Sequence, residues 1–318
     1  MPDSNTFPAV AILPRGALDQ VAGLPAGRWL ARGNLRPASG HDLLTRVVAR
    51  LGLSADGLSR AALRYWGDTK TRPEGWVVAA DPVFFEARLD HLRLHAMHDE
   101  ETRSDLAELL EELNVCLSAT EDSGRFVEAS GNGYLTAGDA LFPSATQSST
   151  DIDAQEPGDH MPEGRGAEDY RRLQSEVEML LHASTVNGKR EAAGLRPVNA
   201  LWFWGGGFAP QTENGFLPPL YGSGSLLAGY WYSVGAAVAP LPERLADAGA
   251  DAGAVVVLPG DDQLAARLEA MHEWLQSGRV DRLIVMFEGG GDVELHRAHR
   301  FRFWRGAALS AALQGPRT

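Results

Sequence analysis

The chain has 318 residues, is 44% hydrophobic and carries a formal charge of −13, with 29 Lys and Arg against 42 Asp and Glu. That length can bury a large core, in one big domain or one with a subdomain. The acidic balance argues against general binding to nucleic acid or anionic membranes, which need a basic surface.

No apolar run approaches the roughly 20 residues that span a bilayer. The opening MPDSNTFPAVAILPRG does not read as a secretion signal. AVAIL (9–13) reads as a short buried strand, stopped by Pro14 and Gly16. HDLLTRVVARLGL places apolar residues at 43, 44, 47, 48 and 51, which is helical spacing, and Gly52 ends it. GWVVAADPVFFEARLDHLRLHAM reads as two strands broken at Asp81–Pro82, with Leu89, His91, Arg93 and His95 alternating along the second. Residues 102–117 form an acidic amphipathic helix with Leu106, Leu109, Leu110 and Leu113 on one side. The single cysteine, Cys116, excludes an internal disulfide and a multi-cysteine metal site, and fits a reducing cytoplasm. Lying among leucines, it is expected to be a small buried apolar residue rather than a nucleophile. GRFVEASGNGYLTAG is a hairpin, with Asn132–Gly133 expected at its turn.

Residues 143–169 change character, with seven acids against one arginine over 151–169, and read as a mobile loop or linker. The chain therefore divides into an N-terminal α/β part over 1–142, the acidic 143–169, and an α/β part over 170–318, as one compact domain overall. A helix over about 168–184 carries Tyr170, Leu173, Val177, Leu180 and Ser184 along one face. VNALWFW is a strand, and SLLAGYWYSVGAA has Leu227, Tyr230, Trp231 and Val234 at helical spacing. AVVVL (254–258) is the continuous apolar run of a parallel strand covered on both faces. DDQLAARLEAMHEWLQSG is a helix capped by Asp261 or Asp262 and closed by Gly278, and RLIVMF (282–287) is the next strand. Strand, helix and strand within 34 residues make a βαβ unit, so the fold class is α/β with a mainly parallel sheet flanked by helices. ELHRAHRFRFWRG (294–306) reads as a final strand with solvated arginines.

RPVNALWFWGGGFAP (196–210) is where a ligand site is expected. Gly205, Gly206 and Gly207 follow a strand, where open α/β sheets take their ligands, and glycines let several N–H groups converge on one anion. The other reading is a tight strand-end turn with Trp202 and Trp204 in the core. No Gly-Lys-Ser/Thr follows, and FAPQTENGF cannot open a helix, so neither a Walker loop nor a dinucleotide fingerprint is present. Upstream, Glu178 and His182 are four apart on a helix, Asn187 and Arg190 lie just past its end, and Asn199 starts the tryptophan strand. His182, Asn187, Arg190 and Asn199, converging on the glycines, suit a phosphate or carboxylate. Equally, the asparagines cap backbone groups and Glu178–His182 is a structural pair. The candidate ligand-binding set is thus His182, Asn187, Arg190, Asn199, Trp202, Trp204, Gly205, Gly206 and Gly207, with no catalytic or metal residue assigned. His91 and His95, with His98 just beyond, read as an exposed strand face rather than a metal site, which would need a carboxylate partner, and Trp66, Trp76 and Trp274 as core anchors rather than stacking platforms.

EVEMLLHASTVNGKREAAGLRPVNALWFWGGGFAP resembles a bacterial family of regulatory proteins of the RpfE type, whose members often carry a phosphoglycerate mutase label. AADPV (79–83), SGRVDRLIVMF (277–287) and HRFRFWR (299–305) extend the resemblance from about residue 75 onward. More distantly, the chain is similar to archaeal-type cofactor-independent phosphoglycerate mutases of the alkaline phosphatase superfamily; Asn199, Trp202, Trp204, Gly205, Gly207 and Pro210 stand in their pattern. That resemblance implies an alkaline-phosphatase-like core. In the enzymes it also implies a phosphorylated serine and two divalent metals held by Asp and His clusters, which lower the serine pKa and neutralise the moving charge. Here AVAIL runs into Pro14-Arg15-Gly16 where the mutases have Asp-Gly, Asp261–Asp262 lack a histidine neighbour, and His41–Asp42 opens a helix near the other end.

A degenerate core is therefore expected. The leading expectation is a non-catalytic regulatory protein without a cofactor, binding a small acidic or phosphorylated metabolite or a protein partner. The alternatives are an active mutase or phosphohydrolase needing manganese or zinc, and a structural scaffold.

Overall fold

Ala9–Leu13 (β1) is buried at all five positions, as expected of a strand covered on both faces. The computed structural model describes residues 7–89, 91–117, 124–213, 215–245, 248, 253–302, 309 and 313. Pro14 and Gly16 lead into α1 (Ala17–Gly23) and α2 (Pro25–Leu30), then β2 (Asn34–Arg36) and α3 (Leu43–Arg50). The Asp42 carboxylate caps α3 by accepting from the Thr45 N–H at 2.9 Å.

Next come α4 (Arg60–Thr69), β3 (Trp76–Ala87), β4 (Leu92–Ala96), α5 (Glu100–Leu117), β5 (Arg125–Ala129) and β6 (Asn132–Ala137). They are followed by α6 (Ala167–His182), α7 (Thr185–Ala192) and β7 (Ala200–Phe208). The chain continues through β8 (Leu220–Tyr221), α8 (Ser225–Ser233), β9 (Val238–Ala239), β10 (Ala254–Val257), α9 (Leu264–Ser277), β11 (Arg282–Phe287) and β12 (Asp292–His296). No helix among the described residues is long and apolar enough to cross a membrane.

These elements form two units. The first comprises the described residues of 1–56, 212–224 and 231–318; the second comprises those of 57–211 with 225–230. The expected boundaries at 142 and 169 both fall inside the second unit.

The first unit holds a seven-stranded sheet in the order β2-β12-β11-β1-β10-β8-β9. From β11 to β9 the pairings are parallel, and β12 and β2 add antiparallel pairings at one edge. β10, α9 and β11 are the expected βαβ unit, and β1 lies between its two strands. The α/β class with a mainly parallel sheet is therefore observed here. Leu264, Leu268, Met271 and Leu275 of α9 pack with Ala9, Ala11, Leu13, Val256, Leu283 and Val285 in one apolar core. Gly278 closes α9 with φ 83°, a left-handed cap. The final strand is shorter than expected: residues 297–301 turn into a 3-10 helix, and 303–306 lie outside the described residues.

The second unit is built on an antiparallel sheet, and it is this sheet that holds the tryptophan strand. β3 is its hub, pairing with β6 along 76–79, β4 along 83–87 and β7 along 76–83. β3 does not break at Asp81–Pro82. The Pro82 carbonyl accepts from the Met97 N–H at 3.1 Å, and the proline nitrogen faces the same edge. That is the seam where the partner changes from β6 to β4, so no ladder bond is lost.

The β5–β6 hairpin turns on Ser130–Gly131, with φ 50° and 78°, rather than on Asn132–Gly133. Gly133 instead pairs with Glu128, and a Cβ there would lie 2.3 Å from the Ala80 carbonyl oxygen. Leu106, Leu109, Leu110 and Leu113 of α5 pack with Tyr170, Val177 and Leu181 of α6 against Val78, Ala80 and Phe203. Cys116, at the edge of that stripe, is exposed rather than buried.

The acidic 143–169 segment is tied to the sheet at both sides. Ala145 bridges to Trp204, the Ala154 N–H donates to the Leu94 carbonyl at 2.8 Å, and Ile152 is buried.

Candidate functional site

The sequence singles out the glycine turn, and the structure places the glycines within β7 rather than past its end. Trp204 pairs with Ala79 and Gly207 with Val77, so Gly205 and Gly206 together oppose Val78: a β-bulge, with Gly205 at φ 65°. The bulge packs closely on the start of α4. A Cβ on Gly205 would lie 3.0 Å from Arg60 Cβ, and one on Gly207 2.8 Å from Ser59 Cβ.

Ser59, the N-cap of α4, accepts from the Ala62 N–H at 3.1 Å and donates its hydroxyl to the Gly205 carbonyl at 2.8 Å. The Gly205 N–H donates to the Ala145 carbonyl at 2.8 Å and the Gly206 N–H to Ser144 Oγ at 2.7 Å. Both amides thus have partners within the fold.

Asn187 and Arg190 follow the end of α6, as expected, and lie in a further helix, α7, opened by Ser184. Asn187 Nδ2 donates to the Leu181 and Val198 carbonyls at 2.8 and 2.7 Å, and Oδ1 accepts from the Val198 N–H at 2.9 Å. Arg190 pairs with Asp105 at 2.6 Å, and donates to Thr102 Oγ1 and the Arg196 carbonyl, both at 3.0 Å. Asn199 pairs like a backbone unit with Phe85, accepting from its N–H at 2.7 Å and donating to its carbonyl at 3.0 Å. Trp202 is fully buried and donates Nε1 to the Gln147 carbonyl at 2.9 Å. His182 is exposed at the last position of α6, and Glu178 accepts from Gln174 at 3.0 Å.

The structure brings Trp204 instead to a polar centre that sequence reasoning did not assemble. Asp81, on β3, accepts at Oδ2 from Trp204 Nε1 and from the Ser149 hydroxyl, both at 2.7 Å, and pairs at Oδ1 with Arg64 of α4 at 2.8 Å. Arg64 also donates to the Tyr134 hydroxyl at 3.0 Å and the Gly133 carbonyl at 3.2 Å, with its guanidinium 5.1 Å above the Trp204 ring. Tyr134 in turn donates to Asp68 at 2.5 Å, and His98 Nε2 lies 3.0 Å from Thr150 Oγ1 and 3.3 Å from Ser149 Oγ.

Burial pushes the Asp81 carboxyl up, but Arg64, His98 and the Ser149 hydrogen bond outweigh it and hold the carboxyl below its ordinary value. Burial likewise opposes the Arg64 charge, and Asp81 more than restores it. The centre therefore holds a fixed anion against a fixed cation. One signal was legible: a lone aspartate inside an apolar strand needs a buried partner.

In the first unit, open α/β sheets offer ligands the carboxyl edge. There β1 delivers Pro14, Arg15 and Gly16, β10 delivers Leu258 to Asp262, and β11 delivers Glu288 to Gly291. The Arg15 guanidinium lies on the last of these turns, since a Cβ on Gly289 would be 3.1 Å from its Nη1. Arg46 donates to the Phe287 and Gly291 carbonyls at 3.1 and 3.2 Å. Three acids around this edge are engaged: Asp261 with Arg267 at 2.8 Å, Asp292 with Arg50 at 2.5 Å, and Asp42 with the start of α3. The hydrogen bond from Arg267 holds Asp261 below its ordinary value. Among the described residues no group of three or more His, Cys, Asp or Glu is placed to hold a metal ion. This donor set does not fit a pair of divalent cations, which require several anionic or imidazole ligands each.

No protein-family model matches the chain. Curated 2,3-bisphosphoglycerate-independent phosphoglycerate mutases do. That of Methanosarcina acetivorans is 28% identical over 159 residues, 48% of this chain and 40% of the relative. The Methanosarcina mazei protein is 28% identical over 141 residues, 43% of this chain and 36% of the relative. The chain is distantly similar to cofactor-independent phosphoglycerate mutases. It matches less than half of these relatives' own length. Among solved structures, the cofactor-independent phosphoglycerate mutase of Thermoplasma acidophilum aligns over 91% of this chain and 90% of its own, with TM-score 0.41 and 16% identity. The PH0037 protein of Pyrococcus horikoshii aligns over 92% and 88%, with TM-score 0.49 and 12% identity.

Proposed function

We propose that this chain is a non-catalytic, mutase-like regulatory protein of the RpfE type, working in a reducing cytoplasm and recognising a small acidic or phosphorylated metabolite. The similarity to phosphoglycerate mutases supports the ligand class. The observation that carries the reading is Arg15. At the end of β1, beside Gly289, a guanidinium repels a divalent cation and attracts an oxyanion. Asp292 and Asp261 are held by Arg50 and Arg267, which withdraws two anionic donors from metal-assisted phosphoryl transfer. In this reading Asn187, Arg190, Asn199, Trp202, Trp204 and Gly205–Gly207 frame the antiparallel unit, and His182 lies outside that frame.

Metal content and mutase turnover measured on one preparation test the proposal. The expected result is no bound manganese or zinc, no turnover when either is added, and thermal stabilisation by 3-phosphoglycerate that Arg15→Gln removes. Metal-dependent turnover abolished by chelator would establish the active enzyme instead. No stabilisation by any phosphorylated acid, with folding intact, would leave a scaffold.

A further inference from the structure

The amino end of the first unit's parallel strands carries a concave site of about 170 Å³. His296 pairs with Arg282, the first residue of β11, and Leu275 and Gln276 close α9, so the site lies at the sheet edge opposite Arg15 and Gly289. Its lining includes Arg32, Arg300, His272, His296 and His299 around Trp29, and no carboxylate. In a chain with 42 acids and 29 bases, that reverses the overall balance. Two carboxylates outside that lining bond to it: Glu269 accepts from Trp29 Nε1 at 2.9 Å and lies 3.8 Å from His272 Nδ1, and Glu294 pairs with Arg36 at 2.9 Å and lies 3.2 Å from His296 Nε2.

The walls are fixed in place by bonds outside the cavity's own needs. Trp29 and His272 stack with ring centres 4.3 Å apart and planes 12° from parallel, and Gln276 lies 3.1 Å from His272 Nε2. Arg32 donates to the Arg300 carbonyl at 3.3 Å, while Arg297 donates to the Leu275 carbonyl at 3.0 Å. Arg302 holds Asn34 Oδ1 at 2.9 Å, fastening the segment after β12 to the start of β2. A cavity lined by two arginines, with no carboxylate in its own wall and the stacked Trp29–His272 pair beside them, suits an anion with a short carbon skeleton; the Arg300 guanidinium rests 4.7 Å over the Phe301 ring. Guanidinium forks match carboxylate and phosphate oxygens, and the ring pair covers apolar atoms.

We infer that this pocket is a second, separate binding site for a small oxyanion, a phosphate or short carboxylic acid, gripped by Arg32 and Arg300 on the Trp29–His272 floor. Its size admits a few heavy atoms and excludes a nucleotide. The inference stands independently of the proposed function, because its site and that of Arg15 lie at opposite edges of the sheet.

The test is titration of the full chain with inorganic phosphate, with succinate and with sodium chloride, read from the histidine ring signals by NMR. The expected result is a saturable shift of His272 and His296 with phosphate or succinate and none with chloride; the anion that saturates first assigns the source. Arg300→Gln, at an exposed position, and Arg32→Gln are each expected to weaken binding about tenfold, and Arg15→Gln to leave it unchanged. Shifts that merely follow ionic strength would overturn the inference. So would saturable binding that survives both arginine substitutions, or that Arg15→Gln alone removes.

Discussion

The Asp81 carboxylate and the Arg64 guanidinium meet at 2.8 Å with their side chains only 3% and 11% exposed. Removing one partner leaves the other charged and desolvated. Asp81→Asn or Arg64→Met is expected to cost about 3–5 kcal/mol each, and the double substitution less than the sum. Urea unfolding of the four proteins checks this.

The same pair sets an acid limb. Asp81 titrates below its ordinary value in the folded chain. A carboxyl lowered by folding contributes stability that is complete above the unfolded pKa and disappears as pH falls through the folded one. The urea midpoint should therefore drop below about pH 4, and Asp81→Asn should flatten that drop.

His272 carries the opposite kind of charge with the same sign of slope. Burial lowers its pKa, more than Glu269 raises it. The unfolded chain then binds the proton first, so stability is complete above the unfolded histidine value and falls as pH drops toward the folded one. NMR titration should place the His272 midpoint below 6.5.

Two glycines separate packing from propensity. Gly205→Ala meets Arg60 Cβ at 3.0 Å and keeps φ at 65°, so a loss of roughly 1–3 kcal/mol is expected. Gly188→Ala, in α7 with nothing within 4 Å, should gain about 0.5–1 kcal/mol. Thermal melts of both variants decide it.

Asn187→Ala removes the bonds to Leu181 and Val198, leaving buried backbone groups unpaired. A loss of about 2 kcal/mol is expected, read by chemical denaturation. Unchanged stability would return Asn187 to the ligand.

Cys116 is exposed on α5, so the native protein should take up one equivalent of a thiol reagent without denaturant.

Sequence by itself determined the elements whose signal is local. Apolar runs gave β1, β10 and β11, the 3.6-residue stripe gave α5 and α9, and Asp42 and Gly278 marked helix ends, because periodicity and caps act within a few residues. The parallel sheet followed, since β10, α9 and β11 are consecutive. Which strand the tryptophans pair with was decided only by tertiary structure. A nine-residue strand reads the same in parallel and antiparallel company, and β3 lies more than a hundred residues upstream. The same distance hid the site's real neighbours: Arg64, Asp81, Ser149 and Trp204 converge from four separate segments, and Trp29, His272 and Arg300 from three. A buried charge demands a partner, but only the folded chain says which one it finds.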